Sequence, residues 1–228
     1  MSERSAGSPR TFNGIAVGRN GYVLDVDWND LVARRKMVRD FRPDPVPREV
    51  LGRMLNQARR VPSAGFSQGV DFLVLEGPDT ERFWEHSLPA NERANFRWPG
   101  LLGAPVIVLP LADAAAYLDR YSQPDKAPAG LGESEDAWPV PYWFIDTGMA
   151  GMALLYAVVN EGLGALFFGI FRNEAAMLAN LGVPEGTRPI GAIALGYPSE
   201  VALQTGREGS PSRRRRRPLD EVVHYGRW

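Results

Sequence analysis

Glu161-Gly-Leu-Gly-Ala-Leu-Phe-Phe-Gly169 is the stretch on which the reading of the fold turns. The mostly apolar run from Ile145 to Glu161 predicts the longest helix of the chain, and Gly162 and Gly164 end it, since glycine takes a left-handed cap without strain. Ala165–Phe168 then reads as a short buried strand. A Gly-x-Gly that follows a helix and precedes a strand has the reverse order of a dinucleotide fingerprint, so no Rossmann site is read here. Gly148, Ala150, Gly151 and Ala153 make the first half of the long helix slim. Two readings of that stripe stand: a tightly packed core helix, or a helix crossing its own copy in a dimer.

Downstream, Asn173 is placed to cap a helix over 174–181, and Ile190–Leu195 reads as another strand. Upstream, Phe72-Leu-Val-Leu75 and Pro105-Val-Ile-Val-Leu109 read as strands, with helices expected over 80–87 and 113–121. Asp27 caps a helix over 28–36, the prolines of Phe41–Pro47 enforce an extended connector, and helix resumes at Pro47 until Pro62. Strands alternating with helices predict one mixed layered α/β structure. Residues 122–143 lack any period yet end in Trp138, Tyr142, Trp143 and Phe144, which predicts a functional flap rather than a linker. Residues 1–22 read as a loose arm, and Val222 and Val223 near the end are apolar enough to add a strand.

Of 228 residues, 44% are hydrophobic and 23% charged, which supplies a core and excludes global disorder. The lack of cysteine removes disulfides, thiolate catalysis and thiolate zinc sites. Two histidines, His86 and His224, leave few members for a metal centre or a serine–histidine relay. Neither is assigned as a proton donor, so the chemistry falls to a borrowed group. No signal peptide is read, and the nearly apolar run Met149–Val159 is about half of the ~20 residues a membrane span needs, so no membrane partner and a cytoplasmic location are expected.

Positive charge is concentrated in two distant places. Segment 34–60 carries nine arginines and lysines against three acids, and Arg213–Arg217 is an unbroken run of five. Without that run, 21 basic residues face 27 acids. Solvated surface, a nucleic-acid patch and two walls of one anion site are the competing readings. Arg35 and Arg39, four apart at a helix end, would share a helical face. In Pro62-Ser-Ala-Gly-Phe-Ser-Gln68, small residues leave backbone groups open to a flat heterocycle, with Ser63, Ser67 and Gln68 adding polar groups.

Four motifs in order and spacing resemble the FMN-dependent nitroreductase family, over about Asp27 to Trp228. They are Arg35-Lys-Met-Val-Arg39-Asp-Phe41, Pro62–Gln68, the helix–Gly–Leu–Gly–strand unit with Leu-Gly-Val-Pro184 and Leu-Gly-Tyr-Pro198, and the closing Arg-Arg-Arg-Pro218-Leu-Asp-Glu-Val-Val223. The resemblance implies an α+β, three-layer fold, with a mixed or antiparallel sheet between helices, in an intertwined homodimer. An N-terminal arm over 1–26 would precede an FMN-binding domain over 27–228, carrying a flap over 113–144 and a tail over 200–228 that reaches the partner subunit. It further implies that Arg35, Lys36 and Met37 border the FMN phosphate and ribityl chain, with Arg214 and Arg216 of the tail on the phosphate. Arg39 would face the flavin N1–C2=O edge, favouring negative charge there. Ser63, Ala64, Gly65 and Ser67 would hold the ribityl and pyrimidine side, and Phe167, Phe168 and Gly169 the other side. Trp138 and Tyr142 would line the substrate channel. The expected reaction passes hydride from NADH or NADPH through FMN to a small flat electron-poor acceptor, nitroaromatic or quinone, with ping-pong kinetics and no side-chain nucleophile. The alternatives are the dehalogenating or flavin-fragmenting branch of the family and a non-catalytic flavin-binding protein; nucleic-acid binding by Arg213–Arg217 is disfavoured. Met37, Phe66 and Gly69-Val70 depart from the family pattern, which often has serine, asparagine and Pro-Trp there.

Overall fold

The computed structural model describes residues 10–12, 15–17, 27–204 and 213–228. The chain divides into two compact units, Met1–Arg35 and Lys36–Trp228. In the first, β1 (Arg10–Phe12) pairs antiparallel with β2 (Ile15–Val17), so the expected loose arm contains a short hairpin. Helix α1 (Trp28–Arg34) starts where Asp27 accepts a hydrogen bond from the Asn29 amide at 2.9 Å. It ends two residues earlier than expected, because Arg35 turns extended, with φ −59° and ψ 113°. Arg35 and Arg39 therefore do not share a helical face.

The second unit runs α2 (Arg48–Ala58), β3 (Val70–Glu76), α3 (Thr80–Ser87), β4 (Val106–Asp113), α4 (Ala114–Tyr121), α5 (Tyr142–Asn160), β5 (Gly164–Phe168), α6 (Glu174–Leu181), β6 (Thr187–Pro189), β7 (Ala192–Gly196) and α7 (Glu200–Gln204). The sheet order is β3-β4-β7-β5, every neighbour antiparallel, with β6 pairing beside the end of β4. One parallel bridge, Met37 to Ala165, joins the extended segment after the first unit to the β5 edge, and the Val38 amide donates to the Ala165 carbonyl at 2.9 Å.

Period-two alternation along β4 builds both faces. Ile107, Leu109 and Leu111 face a layer with Phe83 and Trp84 of α3 and Met177 of α6. Val106 and Val108 face Leu51 and Met54 of α2 and Leu154, Leu155 and Val158 of α5. Helices, sheet and helices thus form the three layers of an α+β fold. Arg53 of α2 also grips Glu161, just past α5, through two hydrogen bonds at 2.8 and 3.2 Å. Helix α5 is long and apolar enough to cross a membrane by length and composition, yet 56% of its most apolar window is buried within the chain.

One local expectation is corrected. Asn173 precedes α6 in a left-handed conformation, but its side-chain amide donates to the His86 carbonyl instead of accepting from the helix. Residues 122–141 fold into turns, including 3-10 helices Ala127–Ala129 and Glu135–Ala137, and Tyr142 and Trp143 open α5. Val222 and Val223 follow a 3-10 turn, Leu219–Glu221, and among the described residues pair with no strand of this chain.

Gly69 enters β3 with its carbonyl accepting from the Asp113 amide. A Cβ there would lie 2.6 Å from the Asp113 carbonyl oxygen and 2.6 Å from the Tyr117 ring. Gly69→Ala is expected to destabilise the fold by about 1–3 kcal/mol through overpacking, measured by urea unfolding.

Candidate functional site

The loop between α2 and β3 is tied down from several directions. Asp146, 2% exposed in the second turn of α5, accepts on Oδ2 from the Ala64 amide at 2.8 Å and from the Tyr117 hydroxyl at 2.7 Å. Burial, followed by the hydrogen bond to Asp146, holds the Tyr117 phenol far above its ordinary range. Within the loop, the Phe66 and Ser67 amides donate to the Ser63 and Ala64 carbonyls, and the Gln68 amide donates to Ser63 Oγ at 3.0 Å. Ser67 Oγ donates to the Ala64 carbonyl at 2.6 Å. The backbone groups expected to stand open are thus mostly engaged inside the turn. What remains for a ligand includes the Ser63 hydroxyl hydrogen and the Ser67 oxygen lone pairs. Gly65, Phe66 and Gln68 all have positive φ, near 60°, and Phe66 is 71% exposed.

A second set gathers at the β5 edge. Lys36 Nζ donates to the Ala202 carbonyl at 2.5 Å, Met37 packs against both cores, and the Arg39 guanidinium donates to the Met37 carbonyl at 3.2 Å. That guanidinium lies 5.3 Å from the centroid of the Trp98 ring. Trp98 lines a cleft of about 300 Å³ with Trp84, Phe96, Phe168, Gly169 and Phe171. Phe168 stacks on Trp84 at 5.9 Å and meets Phe83 edge-on, while Phe167 packs against the opposite core. Bare Gly169 leaves room for the Phe171 ring, which a Cβ would approach to 2.4 Å. Trp84 Nε1 is the one buried side-chain polar atom without a partner among the described residues.

Phe168 and Gly169 therefore line one aromatic cleft, with Arg39 over the Trp98 ring of its wall, whereas Ser63, Ala64, Gly65 and Ser67 are organised by Asp146 and Tyr117. Arg35 closes the other unit. In the tail, Arg213–Arg217 are exposed; Arg217 pairs with Glu221 at 3.3 Å, and no carboxylate among the described residues pairs with Arg214 or Arg216. Trp138, expected to line a channel, is 7% exposed, packed among Tyr117, Tyr121 and Trp143, and its Nε1 donates to the Leu131 carbonyl. Tyr142 is 40% exposed at the start of α5. Sequence reasoning missed Asp146, Tyr117 and Trp98. Asp146 had a legible signal, as the single charged residue within α5.

The nitroreductase family model matches residues 32–197, a span that contains both residue sets. A protein of Thermus thermophilus named NADH dehydrogenase is 31% identical over 216 residues, covering 87% of this chain and 95% of its own. A protein of Exiguobacterium sibiricum, assigned as a nitroreductase and solved with FMN, superposes with TM-score 0.67 at 16% identity, over 88% of this chain and 98% of that one. An enone reductase of gut-bacterial fatty acid saturation superposes with TM-score 0.63 at 24% identity, over 84% of this chain and 98% of that one. These two structural likenesses establish the fold.

Arg120 links the loop to the segment beyond α4. Its Nε donates to the Gly65 carbonyl at 2.8 Å, and its terminal nitrogens grip Asp125 at 2.7 and 2.8 Å. That hydrogen-bonded pairing holds the Asp125 carboxyl at about 2, below its ordinary 3.8. A depressed folded value means the pair stabilises the fold above pH 3.8 and loses that contribution as pH falls towards about 2. The Asp125 carboxyl carbon, followed by NMR, is expected to titrate near 2, and to return towards 3.8 in Arg120→Gln.

Proposed function

Because the chain belongs to the nitroreductase family, we propose that it is an FMN-dependent oxidoreductase, passing electrons from NADH or NADPH to a flat electron-poor acceptor such as a nitroaromatic or quinone. The observation that carries this reading is Arg39, a half-buried cation with no carboxylate partner among the described residues, propped on Trp98 beside a cleft walled by Phe168 and Gly169. The donor set suits an anionic mononucleotide. Fixed arginine charge meets phosphate and the electron-rich flavin edge, small residues admit a flat ring, and the Ser63 and Ser67 hydroxyls retain bonding capacity.

Bound FMN supplies the hydride transfer; the chain's residues bind, orient and polarise. Arg35, Lys36, Arg214 and Arg216 hold the phosphate, with Met37 against the ribityl side. Arg39 favours negative charge on the N1–C2=O edge. Ser63, Ala64, Gly65 and Ser67 border the pyrimidine side, and Phe167, Phe168 and Gly169 the opposite one. Tyr142 borders the acceptor. The unit is a homodimer with each site built from both chains. In support of that, α5 exposes Tyr142, Ile145 and Met149 with open space beside Gly148, and the tail exposes Leu219, Tyr225 and Trp228. Apolar surface of this kind marks contact with another chain.

The purified protein is expected to be yellow, or to become so with FMN, and to bleach on NADPH or NADH addition under nitrogen. Steady-state rates against nitroaromatic and quinone acceptors should give the parallel double-reciprocal lines of one pocket used in alternation. Arg39→Ala is expected to lower kcat/KM for the nucleotide by roughly ten-fold or more. A protein that stays colourless after saturation with FMN sinks the reading.

A further inference from the structure

We propose that Asp146 is the positioning residue of the Pro62–Gln68 loop, setting its shape before any flavin arrives; this rests on the flavin reading above. The loop is an improbable conformation for a free chain. Gly65, Phe66 and Gln68 have φ of 60°, 59° and 56°, and two of the three are not glycine. Bulky residues reach the left-handed region only where their surroundings hold them there. The exposed Phe66 ring finds little packing within the chain, so the restraint falls on the backbone next to it.

That restraint converges from two helices. The Ala64 amide, immediately before the left-handed pair Gly65-Phe66, donates to Asp146 Oδ2 at 2.8 Å. Tyr117 of α4 donates to the same oxygen at 2.7 Å, which fixes the carboxyl plane. Arg120 then takes the Gly65 carbonyl at 2.8 Å, and the Tyr121 ring lies where a Gly65 Cβ would be, 2.7 Å from that position. A carboxylate inside an otherwise apolar helix is unfavourable by itself. Its position here is explained by the two donors it collects. Both end on one oxygen, so an amide oxygen in the same place accepts both, and it is acceptor geometry rather than negative charge that the loop requires.

The test compares Asp146→Ala, Asp146→Asn and Tyr117→Phe in the flavin-free protein, by hydrogen exchange over 63–68, and then by FMN affinity from quenching of flavin fluorescence. For Asp146→Ala, exchange at the Ala64 amide should accelerate about ten-fold or more and the FMN Kd should rise by a similar factor. Asp146→Asn should stay within about three-fold of wild type in both readings, because the acceptor is kept. Tyr117→Phe should fall between them. A folded Asp146→Ala protein with wild-type exchange and Kd overturns the proposal, and so does an Asn variant as impaired as the alanine one. If Asp146→Ala does not fold, Tyr117→Phe decides, and unchanged exchange at Ala64 in that variant overturns the proposal. A wild-type protein that takes up no FMN refutes the flavin reading alone, since the exchange comparison still decides the role of Asp146.

Discussion

Burial of β4 on both faces is the constraint from which the rest of the second unit is positioned. Val106 to Leu109 are almost fully removed from water, and each of their side chains contributes roughly 1.5–3 kcal/mol through that burial. A slip of one residue would exchange the two faces and place every one of these side chains against the wrong helix layer. With the register fixed, Ala112 lies opposite Val70 and the Asp113 amide bonds the Gly69 carbonyl, which places the end of the Pro62–Gln68 loop. Asp113 also caps α4 by accepting from the Ala115 amide at 2.9 Å, so Tyr117 arises one turn later, within reach of Asp146. Across β7 the same register carries β5, and with it Phe168 and Gly169, towards the aromatic cleft. Both residue sets of the candidate site therefore inherit their places from one strand.

Local pattern made much of this visible. Helices α3 and α6 fall where period and punctuation put them, and β5 emerges where Gly162 and Gly164 break the long helix. What escaped depends on distant partners. Helix α1 stops short because the chain beyond it is extended, with Val38 bonded to β5, a contact no local window contains. Strand β4 runs through Pro110 to Asp113, beyond Leu109 where the expected strand ends. Proline lacks only the donor, and the Pro110 carbonyl still accepts from the Ile190 amide. Trp138 shows the limit for side chains: a cluster of rings announces burial or a binding wall equally well, and its packing among Tyr117, Tyr121 and Trp143, with its indole bonded to the Leu131 carbonyl, depends on partners that the local pattern does not show. Asp146 was legible as an anomaly, one charge in an apolar helix, but its partners 82 and 29 residues away were not.

The departures at Met37 and Phe66 acquire a physical reading in this frame. Met37 is held through its backbone bridge to Ala165, and Phe66 through its amide to the Ser63 carbonyl. A site shaped by backbone and by buried anchors tolerates exchange of the side chains it displays. Gly65, pressed by Tyr121, and Asp146, bonded to the Ala64 amide, are held instead by packing and hydrogen bonding inside the chain.

Charge placement gives the same distinction from another side. Nine arginines among the described residues pair with carboxylates, on nearly every exposed face. Against that habit, Arg39 and Arg97 both lie over the Trp98 ring, 5.3 and 5.0 Å from its centroid, with a ring quadrupole in place of an acid. Two cations on one indole repel each other, and the ring offsets that repulsion without neutralising either charge. Arg213–Arg216 repeat the situation in an extended tail, where no carboxylate among the described residues answers them. Acids are abundant in this chain, 27 in all, and Glu92 of the cleft wall is engaged by Arg172, so the arginines on Trp98 lack an acid by arrangement rather than supply. Arginines held over an indole beside an aromatic cleft favour an anionic, planar ligand there over a neutral apolar one. The pairing of Trp98 with arginine therefore adds, beside the family likeness, a physical reason for proposing a flat, negatively charged ligand at this cleft.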